Sequence, residues 1–547
     1  MPLNEPRCWS SICHWVVVLY VFITCSKFII EQVFLDNQNI DARCTSLDAY
    51  DQTTNLNLKT NDIFDLTDPD TIFLHHWANL LHIKTKDITL INESAFFIQK
   101  CDIAQADIDE LERHLRKQKY IREAKVTVND DNKVDVETWD NWSLMPTVDF
   151  GRKGGINKYA IGIKDRNLLG LGIDAELEYF SNNQRTGYKF DTHFPLFLDR
   201  NINASIRLTS SDDGSSRAIF LNKDFVSFDT EQAYKVGINN FNQIDTQFQN
   251  GVTVAKYNHD QSYAVAHWQW LLSDSNNETL RYGIGYIRDK HQFSDLAIPT
   301  LFTSGYLPEN RDYQYPFLSL EYLQKDYRKL TNFNLINQIE DFNIGWHVYG
   351  LIGRDFSNTP QSPDAIWEFT FSKGLQTSEN GFLFFDGQFK GEFNSTSVTQ
   401  DRTQLSFSTE YFHKFNNNWG AYFKNSNTIS KNPFLDAPIA LGDDSGVRGY
   451  PLNYQHGKST TQFTLEARYY PHINIYKLFE LGGAAFIDTG KAFGDSPIGN
   501  VNNSTLTSVG LGARFYSTHS SEAQVIHIDI VKPLSTDMGF WGHPRLM

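Results

Sequence analysis

The sequence predicts a mainly β chain, in which one small α+β domain precedes a long antiparallel barrel of transmembrane type. Three observations carry this. Phe and Tyr are abundant, 41 and 25 in 547 residues, yet mean hydropathy is only -0.42. That combination fits strands alternating apolar and polar residues, with aromatic girdles raising the aromatic share to 14%. From Leu144 to Leu534 the chain is a succession of short alternating stretches joined by Asn-, Asp-, Ser- and Gly-rich connections. The segment before it carries a helical apolar stripe between strand-like runs.

The only long apolar run, Trp15 to Cys25, falls short of the ~20 residues a spanning helix needs. With Arg7 before it and polar sequence after it, residues 1–25 read as a secretory signal peptide, an uncleaved anchor being the alternative. Cys8, Cys13 and Cys25 lie in this leader. Cys44 and Cys101 follow it, and an oxidising compartment permits a disulfide between them without demanding one. No Cys/His cluster has metal-ligand spacing, and His75, His76 and the scattered histidines read as surface or interfacial residues, so neither metal nor cofactor is expected. The net charge of -16, with no basic stripe, argues against nucleic acid as a partner.

Residues 26–70 read as a polar linker. Residues 71–142 read as a small domain, entered by an amphipathic segment from Ile72 to His82. Asp87–Ile91 is its expected first strand, with a short helix beginning at Glu93. Asp102 is the expected cap of a second helix, with Gln105 as capping-box partner. In that helix Ile108, Leu111 and Leu115 form one stripe, opposite Asp109, Glu112, Arg113 and Arg116. Strands Ala124–Val128 and Val134–Glu137 follow, turned by Asn129–Asn132, completing a βααββ order.

Residues 143–534 read as the barrel. Tyr159, Ile161 and Ile163 alternate with Ala160, Gly162 and Lys164. Ile173, Ala175, Leu177 and Tyr179 alternate with Asp174, Glu176 and Glu178, three carboxylates on one face that a water-filled lumen accepts. Residues 290–312 and 429–460 read as extended loops.

The second loop carries Val447-Arg448-Gly449-Tyr450. After it, the strand Thr464–Tyr470 places Glu466 on its polar face, and Phe486, Asp488 and Gly490 share one face of the next. A guanidinium's planar fork accepts two carboxylates well. Arg448 is therefore expected to reach into the lumen, clamped by Glu466 and Asp488.

A V-R-G-Y loop followed by F-x-D-x-G resembles the BamA/TamA superfamily of POTRA-containing outer-membrane β-barrel proteins. The resemblance implies a barrel of about 16 strands, an arginine on an inward-folded loop with the aspartate as its partner, and one periplasmic POTRA module at the βααββ segment. Asn167–Gly172 resembles the family's second-strand hairpin turn. The run His527, Asp529, Pro533, Leu534 resembles its penultimate strand. The tail 535–547 departs from the pattern: it is short, holds Pro544 and lacks alternation, so the last strand is expected to be missing.

The implied function is insertion of proteins into the outer membrane or movement across it, with unfolded client polypeptides captured by the POTRA module and lipids around the barrel. A passive outer-membrane channel or surface receptor of the same architecture is the alternative. The sequence holds no G-x-S-x-G, H-E-x-x-H or P-loop, so no enzyme activity is expected.

Overall fold

The computed structural model describes residues 56–98, 103–128, 133–153, 156–197, 201–275, 277–296, 306–357, 362–394, 401–443, 445–500, 502–521, 525–534 and 544–546. The leader, Cys44, Cys101, Asp102 and the turn 129–132 lie outside them.

The small domain is a three-stranded sheet covered by helices. Strand β1 (Leu56–Asn61) pairs in parallel with β3 (Val134–Asp140), which pairs antiparallel with β2 (Ile121–Val128), giving the order β1-β3-β2. Helices α1 (Phe73–Leu81), α2 (Asp87–Glu93), α3 (Ala95–Ile98) and α4 (Gln105–Lys117) lie between β1 and β2 in the chain. The stripe of α4 is buried as expected: Leu111 and Leu115 are fully enclosed with Leu90, Phe97, Val134 and Val136, and Ile108 packs on them.

The small domain departs from two sequence expectations. Asp87–Ile91 is helical, because three apolar residues in five fit either period and Asp87 favours a helix start. The first strand is instead Leu56–Asn61, inside the stretch read as linker. Its two leucines pack on the core, while Asn57 and Lys59 pair with Asp135 and Glu137 across the polar face. Two leucines among polar residues gave too weak an alternation to stand out. For α4, whose N-cap is Ala104, the Asp107 carboxylate in the first turn reaches back to accept the N–H of Ala104 at 2.9 Å.

Beyond Asn141 one antiparallel sheet takes in nearly the whole chain. Its first strand is Leu144–Lys153, and the strand order returns on itself until Pro544–Leu546 lies beside it. Twenty strands of three residues or more make up the sheet among the described residues, not about 16. Among them is Gly214–Lys223, whose polar start hid it from the alternation. The irregular tail is corrected too: Pro544–Leu546 is a short strand opposite Ile528–Ile530.

Alternation divides the sheet's faces. Ile161, Ile163, Ile284, Leu318, Leu465 and Leu511 lie exposed on the outside, while Arg448, Glu466, Asp488 and Asp529 are buried within. The turn 169–172 seats the small domain. Lys86 N and Thr89 Oγ1 donate to Gly170 O at 2.9 and 2.8 Å. Gly170 has φ +75°, and a Cβ there would lie 2.3 Å from Lys84 O, so the contact requires glycine.

Candidate functional site

Two segments fold inward, one from each end of the sheet. From the end away from the small domain comes the connection 432–458, between strands Trp419–Lys431 and Ser459–Tyr469. It carries a short hairpin of Ile439–Leu441 against Gln455–Gly457 and brings Arg448 to the sheet wall. Val447 and Tyr450 are fully buried with Leu441, Tyr454 and Leu506. The Tyr450 hydroxyl donates to Thr507 O at 2.9 Å.

Arg448 sits among three carboxylates. Nε and one terminal nitrogen donate to the two oxygens of Asp488 at 2.7 and 2.8 Å. The other terminal nitrogen lies 3.0 Å from Glu466 and 3.4 Å from Asp529. The Phe486 ring supports the guanidinium from below, its centroid 3.3 Å from Cζ. Thr464 donates to Asp488 at 2.9 Å.

Strand register explains the convergence. Thr464 pairs with Asp488 and Glu466 with Phe486 on neighbouring strands, so every second side chain points to one place. The Phe486 ring fits because residue 510 opposite it is glycine; a Cβ there would meet the ring at 2.3 Å. Gly449, at φ +91°, lets the loop turn against Val531 and Pro533, and Gly490 leaves room for Val447 and Leu441.

The structure thus brings Arg448, Glu466 and Asp488 together, with Val447, Gly449, Tyr450, Phe486 and Gly490 around them. Asp529 was missed. Its signal was present, since it alternates with Ile528 and Ile530 and so faces inward. Arg514 pairs with Asp529 and Arg468 with Glu466 at 2.9 Å, which makes the cluster a network rather than a triad.

From the opposite end comes a hairpin of Tyr327–Thr331 and Ile339–Asn343, in a connection the sequence did not single out. Its tip packs inside the sheet at the end nearest the small domain. Phe333 contacts Phe342, Phe384 and Phe412 with ring centroids 4.8–5.5 Å apart, and Ile336 is buried with Tyr470 and Tyr516. Glu340 accepts the backbone N–H groups of Phe333, Asn334 and Leu335. Burial nonetheless raises its carboxyl above the ordinary range.

The hairpin also touches the small domain. Arg116 of α4 donates twice to Asp341, at 3.2 and 3.0 Å, and Arg113 lies 4.1 Å over the Tyr327 ring. Deeper inside, Arg468 donates to Phe333 O at 2.7 Å while holding Glu466. The charged face of α4, the hairpin tip and the Arg448 cluster therefore form one chain of contacts. His75, read as a surface or interfacial residue, is buried at an interface, its Nε2 2.8 Å from Tyr476 O where α1 meets the sheet.

No protein-family model matches the sequence, and no curated protein matches it. Among solved structures it is similar to BamA from Haemophilus ducreyi lacking POTRA domains 1–3, with 11% identity, 90% of this chain and 83% of that chain covered, and a TM-score of 0.37. It is also similar to CdiB from Escherichia coli, with 11% identity, 89% and 74% covered, and a TM-score of 0.44. A third is CdiB from Acinetobacter baumannii, with 12% identity, 85% and 70% covered, and a TM-score of 0.41.

Proposed function

We propose that the chain is an outer-membrane β-barrel that captures unfolded polypeptides with one periplasmic POTRA-like domain and inserts them into the membrane or moves them across it. The observation that carries the membrane reading is the split between faces. Ile284 (51% exposed), Leu318 (62%) and Leu511 (67%) are representative of the outer wall, a surface that water would not tolerate over so many strands, whereas the charges are turned inward. A sheet in hydrocarbon must leave no unpaired edge, and the return of the strand order to Leu144–Lys153 supports closure.

The belt continues onto the small domain. Helix α1 exposes Phe73, Trp77, Leu80 and Leu81, spaced as one helical face, which suits the interfacial layer of a bilayer. Strand β2 is an edge of its sheet and supports capture of an extended client by strand addition. Filling of the interior from both ends weighs against a permanently open pore.

The test places an environment-sensitive fluorophore at Ile284→Cys or at Thr127→Cys on strand β2, in full chain reconstituted in vesicles with the native cysteines replaced by serine. Quenching at position 284 by lipid-borne quenchers, and protection at position 127 on adding unfolded barrel polypeptide, are expected. Equal quenching of position 284 by aqueous iodide would end the membrane reading. An unchanged position 127 would end client capture at this edge.

A further inference from the structure

The sequence left its scattered histidines without a role, but the fold brings two of them together away from the Arg448 cluster. His259, on strand Val252–Asp274, and His291, on the neighbouring Glu278–Asp295, stack inside the sheet with ring centroids 5.1 Å apart. Both are over nine-tenths buried. Nε2 of His259 lies 2.8 Å from Nδ1 of His291. Each outer nitrogen meets a carboxylate: His259 Nδ1 is 2.6 Å from Asp245, and His291 Nε2 is 3.1 Å from Asp289.

Proton counting shows that this row is short of one positive charge. A carboxylate only accepts, so although Gln243 and Gln261 already donate to Asp245 and Asp289 at 2.7 and 2.8 Å, each outer nitrogen beside them also has to carry an N–H for its contact to be favourable. A neutral imidazole has one N–H and one lone pair. With both outer nitrogens protonated, two lone pairs face each other across 2.8 Å. Turning His291 to its other tautomer lets Nε2 accept from Gln261 at 3.2 Å, but sets that lone pair against Asp289 at 3.1 Å. Either way one contact is acceptor against acceptor, in a site where water cannot relieve it.

The surrounding charge agrees. Asp436, on the inward connection 432–458, has an oxygen within 4.8 Å of the ligand nitrogens of both histidines. Arg311 answers Asp436 with two hydrogen bonds, 2.9 and 2.8 Å. Arg185 reaches Asp245 only at 3.5 Å and divides itself with Asp213 at 3.2 Å. Three carboxylates are therefore met by one fully committed cation.

We propose that the two inner nitrogens and Asp436 bind a first-row transition cation of the zinc class. Imidazole suits such ions. Asp245 and Asp289 then orient the rings from behind, the usual arrangement behind metal-bound histidine. The Asp436 oxygens keep further lone pairs beyond those given to Arg311. With metal–nitrogen bonds of about 2.0–2.1 Å at a tetrahedral angle, the inner nitrogens need to part by roughly half an ångström and the rings to tilt so that both lone pairs meet at the ion. Because Asp436 belongs to the inward connection, the ion ties that connection to the wall at a point remote from Arg448.

The experiment is zinc titration, followed by calorimetry, of the tag-free full chain in detergent after chelator treatment. One equivalent per folded chain is expected, with affinity at least tenfold weaker in His259→Gln and His291→Gln and weaker in Asp436→Asn. Cobalt absorption of the wild-type chain, showing d–d bands of nitrogen coordination, serves if a variant fails to fold. Wild-type chain that folds and binds neither ion saturably would overturn the proposal, leaving a shared proton between the rings. Unchanged zinc affinity in folded His259→Gln and His291→Gln would overturn it as well.

Discussion

The connection 432–458 and the hairpin 327–343 enter the same interior from opposite ends, but different forces hold them. The first is fixed by a buried guanidinium among three carboxylates, with Asp488 and Asp529 wholly enclosed. The second is fixed by a cluster of phenylalanines and by three N–H groups on one glutamate. Buried charge tolerates no half measures, because removing one partner leaves the others desolvated and unpaired. Aromatic packing loosens by degrees. The hairpin also reaches the small domain through Arg116 and Arg113, so it is the segment placed to respond when that domain moves.

The sharpest break in the comparison is Arg448→Ala. It strands Asp488 and part of the charge on Glu466 and Asp529, a cost of about 3–5 kcal/mol. The fraction of chain migrating as a heat-modifiable folded band should fall severely. Arg448→Lys should recover part of it, since a point charge lacks the two-pronged geometry. Folding at wild-type level in Arg448→Ala would show that the network is dispensable.

Next in size is Phe333→Ala, also about 3–5 kcal/mol in packing but limited to the contact of the hairpin tip with the wall rings Phe384 and Phe412. The folded band should persist while ion conductance in planar bilayers rises. An unchanged conductance would mean that the hairpin does not seal the mouth. The pair of variants thus separates a segment the fold depends on from one that only fills it.

The sequence exposed one of these segments and hid the other. Arg448, Glu466 and Asp488 are legible because strand period two fixes which side chains share a face, and because charge on such a face needs an opposite charge. Asp529 was legible on the same grounds and simply not drawn in. The hairpin was not: Phe333, Ile336 and Glu340 lie in a connection with no sustained period, and their partners Phe412, Arg468 and Tyr470 are supplied by strands distant in the chain. The same holds for His259 and His291, which meet only through antiparallel register. Leu56–Asn61 was obscured by brevity, since six residues with two leucines give almost no alternation to detect.

A third expectation concerns the seat on which the small domain, and with it the hairpin's outer contacts, depends. His519 lies just after strand Leu506–Ser517, its ring 4.4 Å from Phe64 and its Nδ1 2.8 Å from Thr518 Oγ1. Burial, then the Arg122 charge, lowers its pKa from 6.5 to about 3. A depressed histidine binds fewer protons folded than free, so its contribution is present above pH 6.5 and lost as pH falls toward 3. By pH 5 the seat weakens by at most about 2 kcal/mol. Distance measurement between labels on α4 and the sheet should show the domain loosening over that window in wild type and not in His519→Gln. Equal behaviour of the two would assign the effect elsewhere.

The smallest effect is expected at the link itself. Arg116 and Asp341 are partly buried, each side chain less than a fifth exposed, and Arg116 shares itself with Glu112 at 3.4 Å. A pair so placed contributes about 1 kcal/mol, far less than the Arg448 network. Arg116→Ala and Asp341→Ala should each leave folding and conductance near wild type. In a double-mutant cycle with Phe333→Ala, however, the conductance increase should exceed the sum of the single effects if the α4 contact helps hold the hairpin in place. Strict additivity would mean that the aromatic cluster holds the plug unaided, and that motion of the small domain does not reach it through Arg116.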